Sequence, residues 1–169
     1  MSKISEHIIR FIMLSALQIL FLNNIQISGY INPYIYILFI MLLPAKMSKA
    51  LVLIYSFGIG FLMDIFSDSY GIHTSATLLM AYFRPRVLSL VSIKGGEDLE
   101  YIGIKHLRLG RFFTFVSTLT LIHHFTLFYL EAFRWNEFLD TLSRATLSSA
   151  VSLIIILCIE SIRANSKVK

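Results

Sequence analysis

The chain has 169 residues, of which 56% are apolar and 14% aromatic, and its mean hydropathy is +0.73. A soluble domain of this length with that composition would expose too much hydrocarbon, so the class is a single integral membrane domain with no room for a second folded unit. The formal charge of +5 marks loops held on the cytoplasmic face rather than nucleic-acid binding, and the single Cys158 excludes an intramolecular disulfide.

Six apolar segments follow in chain order, and together they predict an all-α membrane protein, a compact bundle of six transmembrane helices. The first, Ile8–Leu22, ends in Asn23-Asn24 with no small-x-small cleavage site, so it reads as a retained helix with Arg10 snorkelling to the inner interface. A polar, uncharged loop to Pro33, with Gly29 as a turn residue, leads into the second segment, Tyr34–Leu43. The third, Leu51–Phe66, and the fourth, Tyr70–Phe83, are joined by Ser67-Asp68-Ser69, which predicts a tight helical hairpin. The second and fourth are short against the ~20 residues a spanning helix needs. They extend into their flanks, thin the bilayer or are shielded by neighbouring helices, and a re-entrant path for one of them is the alternative.

A cytoplasmic loop, 84–110, comes next. Its run after Gly95-Gly96 places Glu97, Asp98 and Glu100 early and Lys105, Arg108 and Arg111 late, an order that complements a helix dipole and predicts a short interfacial helix. The fifth span is Phe112–Leu130. The outer loop Glu131–Asp140 carries Phe133, Trp135 and Phe138, as an aromatic belt would. The sixth span is Thr146–Ile162. With six alternating spans and an inside N-terminus, only Arg134 and Arg144 of the fifteen Lys and Arg residues fall outside. That asymmetry supports six spans independently of hydropathy and places both termini in the cytoplasm.

Two aspartates, Asp64 and Asp68, stand within the stretch Phe57–His73 beside hydrocarbon-length sequence, where a carboxylate costs about 2.5–3.5 kcal/mol at the bilayer centre. Asp64 lies fifteen residues beyond Lys49, about 22 Å at the helical rise. His123 and His124 lie about 18–20 Å beyond Arg111 by the same rise, and His73 follows Ser69 just below the outer surface. Asp64, His73, His123 and His124 can therefore share one outer polar layer. Interhelical hydrogen bonding, a partner-contact or conformational role, and a metal or proton-relay site are the three readings of that layer. The sequence lacks a His-x-x-x-His helix pair, and His123 and His124 point about 100° apart on a helix, so no metal site and no cofactor is assigned.

Paired intramembrane aspartates that share a proton are protease chemistry. Asp68, however, falls in the predicted turn, where Ser67 or Asp68 serves as N-cap of the fourth helix. No second acidic motif appears within a span, and no phosphate loop or nucleophile elbow is present. The chain therefore reads as a non-enzyme. Ser56 with Gly60, Thr77 with Ala81, and Ala145, Ser149 and Ser152 form small-residue packing faces. Glu160 and Arg163 form a local pair, and Gln18 is an interhelical hydrogen bonder.

The run GIGFLMDIFSDSYGIHTSATLLMAYFRP resembles the signature region of the MreD family of rod-shape-determining membrane proteins. Gly58, Gly60, Asp64, Ser67, Gly71, His73 and Arg84 stand at the matching positions, and length, helix count and cytoplasmic termini agree over nearly the whole chain. The resemblance implies a multi-pass component of the bacterial inner membrane that binds the bitopic scaffold MreC and helps regulate cell shape and peptidoglycan synthesis. Through the scaffold it would be linked to MreB filaments, the RodA polymerase and its class B transpeptidase. The resemblance also implies a bundle like the S-component fold of energy-coupling-factor transporters. The alternative function is accordingly a small-molecule-binding subunit of a vitamin-type transporter. Asp64 and His73 are the residues expected to hold the third and fourth helices in the arrangement that receives the scaffold. The basic loop Arg84–Arg111 either anchors the inner face or also binds anionic lipid or filament components.

Overall fold

The computed structural model describes residues 3–25, 30–92, 102–133 and 138–166. Their helices are α1 (Lys3–Leu20), α2 (Leu38–Met41), α3 (Lys49–Ser67), α4 (Ile72–Val91), α5 (Ile104–Leu107), α6 (Leu109–Ala132) and α7 (Phe138–Ser166), and a 3₁₀ turn over Leu22–Asn24 prolongs α1. Among the described residues, four stretches are long and apolar enough to cross a membrane: Ser5–Asn24, Lys49–Ser67, Leu109–Ala132 and Phe138–Asn165. The chain is an all-helical membrane protein. The principal contacts run α3–α4, α4–α6 and α6–α7, with α1 laid against α2 and α3. Facing lipid, α1 and α3 expose Ile12, Met13, Leu20, Ile54, Phe57 and Phe61.

The predicted second span takes another form. Within 34–43 only the single turn Leu38–Met41 is helical, yet Ile35 through Met41 are almost completely buried. Tyr36 meets His73 and Thr77 near the start of α4, while the Leu43 carbonyl meets Arg84 near its end. Hydrogen bonds from Leu38 N to the Ile35 carbonyl, from Phe39 N to Tyr36, from Leu42 N to Leu38 and from Leu43 N to Ile40 prolong that turn on both sides, so 35–43 is one short, irregular helix. The stretch 32–35 before it has no regular structure, and the two together thread the interior of the bundle.

Non-helical backbone is tolerated at membrane depth only where protein supplies its hydrogen bonds, and here other elements supply them. Asn32 N donates to Ser148 Oγ (3.1 Å), Tyr34 N to Ser152 Oγ (2.9 Å) and Ile35 N to Gln18 Oε1 (2.8 Å). Gln18 Nε2 returns a bond to the Pro33 carbonyl (3.1 Å), and the Arg84 guanidinium donates to the Leu43 carbonyl. Gln18 and the serine stripe of α7 thus serve one buried segment.

Arg84 is corrected accordingly from a loop cation to an interior residue, 2% exposed. The loop predicted at 84–110 starts later, because α4 continues to Val91 with Pro85 inside it. Proline there forfeits one helical hydrogen bond, and the residue before it, Arg84, is tied to the Leu43 carbonyl. Asp98, Glu97, Glu100, Arg134 and Trp135 lie outside the described residues. Of the basic residues in that run, Lys105 lies within the short α5 and Arg108 (φ +63°) turns the chain into α6.

Candidate functional site

The α3–α4 hairpin is built around Asp64. Its Oδ1 accepts from the Ser69 hydroxyl (2.6 Å) and from His73 N (2.9 Å), and its Oδ2 accepts from Thr74 N (2.9 Å) and the Thr74 hydroxyl. His73 and Thr74 are the second and third residues of α4, whose first amides have no partner within the helix. A carboxylate on one helix therefore caps the next. Neither Ser67 nor Asp68 performs the predicted capping. Asp68 is exposed and closes α3 in the left-handed conformation (φ +50°), and Ser67 Oγ accepts from Asn23 (3.2 Å). The N-cap position itself is Gly71, at φ +95°, a conformation that favours glycine.

Gly60 sits where the two helices come closest. A Cβ there would lie 2.7 Å from Thr74 Cα and 3.1 Å from the His73 carbonyl, whereas one at Gly58 would meet nothing within 4 Å. Gly60→Ala is expected to destabilise the fold by about 1–3 kcal/mol through forced separation of α3 and α4. Gly58→Ala should be neutral or stabilising by up to about 1 kcal/mol. Denaturant titration of the two variants checks this, and equal effects would refute the close approach.

Behind the hairpin runs a buried polar chain. Tyr36 Oη lies 2.7 Å from His123 Nε2, 3.1 Å from His73 Nδ1 and 3.2 Å from Thr77 Oγ1. His123 Nδ1 is 3.5 Å from His124 Nδ1, and His124 Nε2 is 2.9 Å from Ser152 Oγ. Donor–acceptor logic assigns proton positions for neutral rings. The Thr120 carbonyl, 3.0 Å from His124 Nδ1, can only accept, so that nitrogen carries the proton and Nε2 accepts from Ser152. The His123 Nδ1 facing it is then bare, and His123 Nε2–H donates to Tyr36. The Tyr36 proton is left to His73 or Thr77. Tyr34 stacks edge-on against His73, with centroids 5.1 Å apart.

Adjacent His123 and His124 both reach this interior because α6 packs between α4 and α7. The 100° between them directs one ring to Tyr36 on the threaded segment and the other to Ser152 on α7. No group of three potential metal ligands occurs among the described residues. Arg84 lies eleven residues along α4 from His73 and takes no part.

A cavity of about 460 Å³ opens above this layer and reaches down to Tyr34 and His73. Its rim carries Asn23, Asn32, Asp68 and the Arg144–Glu131 ion pair (3.2 Å). The volume falls within the range of small-molecule sites. Sequence reasoning missed Tyr34, Tyr36 and Thr74 because it counted them as apolar or packing positions. The signal available was the run Asn32-Pro33-Tyr34-Ile35-Tyr36, where proline and two phenols open a segment too short to span as a helix. No family model, curated protein or solved structure matches this chain significantly.

Proposed function

We propose that the chain is a non-enzymatic, MreD-like component of the bacterial cell-elongation complex that binds an MreC-like bitopic scaffold in the inner membrane. The observation that carries this reading is the convergence of Gly60, Asp64, Gly71 and His73 on one hairpin. These residues carry the resemblance to the family, and each has a distinct role in fixing α3 against α4. The fold is compatible with six passes if α4 and the threaded segment both traverse the bilayer. Two features support the non-enzymatic reading. Asp64 is engaged by four donors, and Asp68 points away in an exposed turn, so the pair does not form a proton-sharing dyad.

In lipid, a single scaffold helix would associate by close packing and a few hydrogen bonds. Affinity purification of the chain from its native membrane should recover a single-span scaffold, and depletion should round the cells. Recovery of neither a scaffold nor a shape defect would refute the proposal. The 460 Å³ cavity above Tyr34 and His73 favours one second reading, a vitamin-type small-molecule subunit. Mass spectrometry of the purified protein separates the two, because that reading requires a stoichiometric bound compound.

A further inference from the structure

At the opposite end of the bundle, where α1 begins and α7 ends, a second cavity of about 260 Å³ is lined by Glu6, His7 and Arg10 of α1, Lys105 of α5, and Glu160 and Arg163 of α7. Glu160 is 1% exposed. One of its oxygens, Oε1, accepts from Arg163 (2.6 Å), while the other, Oε2, is buried with no hydrogen-bond partner. The chain at Gly103 lies against this carboxylate, so that a Cβ there would stand 2.6 Å from Oε1. An unpaired carboxylate oxygen in such surroundings is costly and calls for an N–H donor.

A simple cation is a poor partner here, since among the described lining residues Arg10, Lys105 and Arg163 outnumber Glu6 and Glu160. A ligand that carries an ammonium and a phosphate together fits both demands. The ammonium would donate to Glu160 Oε2, and the phosphate would face Arg10 and Lys105, whose charges complement it. The neighbouring face of α1 exposes Ile8, Ile9, Ile12 and Met13, an apolar track on which acyl chains would lie. We propose that this cavity binds the phosphoethanolamine headgroup of a phospholipid in the leaflet at that end of the bundle. The inference is independent of the scaffold reading.

The full chain, incubated in mixed micelles with phospholipids of identical acyl chains, tests this by native mass spectrometry of the retained lipid. Across the phosphatidylethanolamine, N-methyl, N,N-dimethyl and choline series the charge is constant while the N–H donors fall away. Retention should drop stepwise, by about tenfold from first to last, the scale of one hydrogen bond to a charged group. Equal retention across the series would overturn the proposal without any variant. Glu160→Gln should bring the two end members within about twofold of each other, by loss of the charge-assisted part of that bond. A Glu160→Gln protein that keeps the full preference would overturn the assignment to this carboxylate. Soluble phosphoethanolamine at equal concentration should fail to displace the lipid, and displacement would overturn the lipid source.

Discussion

Asp64→Ala should lower the unfolding temperature in detergent by roughly 10 °C, corresponding to a loss of about 3 kcal/mol or more. The substitution strips one acceptor from four donors at once. Two of these, the backbone amides of His73 and Thr74, are buried at the start of α4 and have no alternative within the helix. The hydroxyls of Ser69 and Thr74 can rotate toward other partners; the amides cannot. Each orphaned donor costs about 1–3 kcal/mol. Asp64→Asn keeps a single carbonyl oxygen and should fall between wild type and alanine. A shift below about 2 °C for the alanine variant would mean that the hairpin does not depend on its cap.

Tyr36→Phe should cost about 2–4 kcal/mol although it removes one oxygen from a side chain of otherwise unchanged shape. That oxygen is the common partner of His123, His73 and Thr77. Without it the His123 Nε2–H has no acceptor, and the proton order deduced for the histidine chain has no anchor. The ring ¹⁵N shifts of His73 and His123 should move, while those of His124, held by Thr120 and Ser152, should stay. Unchanged His123 shifts would refute the assigned tautomers.

The long elements were legible in the sequence because lipid-facing helices need only length and hydropathy. The predicted Leu51–Phe66 became Lys49–Ser67, and the tight turn at Ser67-Asp68-Ser69 lies where the hairpin required it. The failures share a cause: each depends on a residue far away in the chain. Residues 34–43 have the composition of a short helix, and what fixes them and their irregular approach in the interior is Gln18, Ser148, Ser152 and Arg84, each fifteen or more residues from the amide or carbonyl it serves. Arg84-Pro85-Arg86 looks like a helix stop until the Leu43 carbonyl is known to receive the guanidinium.

At the site, helix rise alone placed Asp64, His73, His123 and His124 at one depth. It could not show that Tyr36 joins two of them, His73 and His123, because a phenol in an apolar run carries no periodic signal. Nor could it show that the cap of α4 comes from α3, since capping rules look within a few residues of the helix start.

The central claim, that the hairpin fixed by Asp64 is the part of the bundle a scaffold requires, is tested most directly by quantitative co-purification with two destabilised variants side by side. Asp64→Ala and Tyr36→Phe weaken the same fold at different places, so a loss that merely follows stability would be equal when normalised to folded protein. Asp64→Ala should insert in the membrane but recover at least about tenfold less scaffold, an interaction loss near 1.4 kcal/mol, while Tyr36→Phe should recover it in proportion to its folded fraction. Equal recovery by the two variants, with normal cell shape in the Asp64→Ala strain, would contradict the claim.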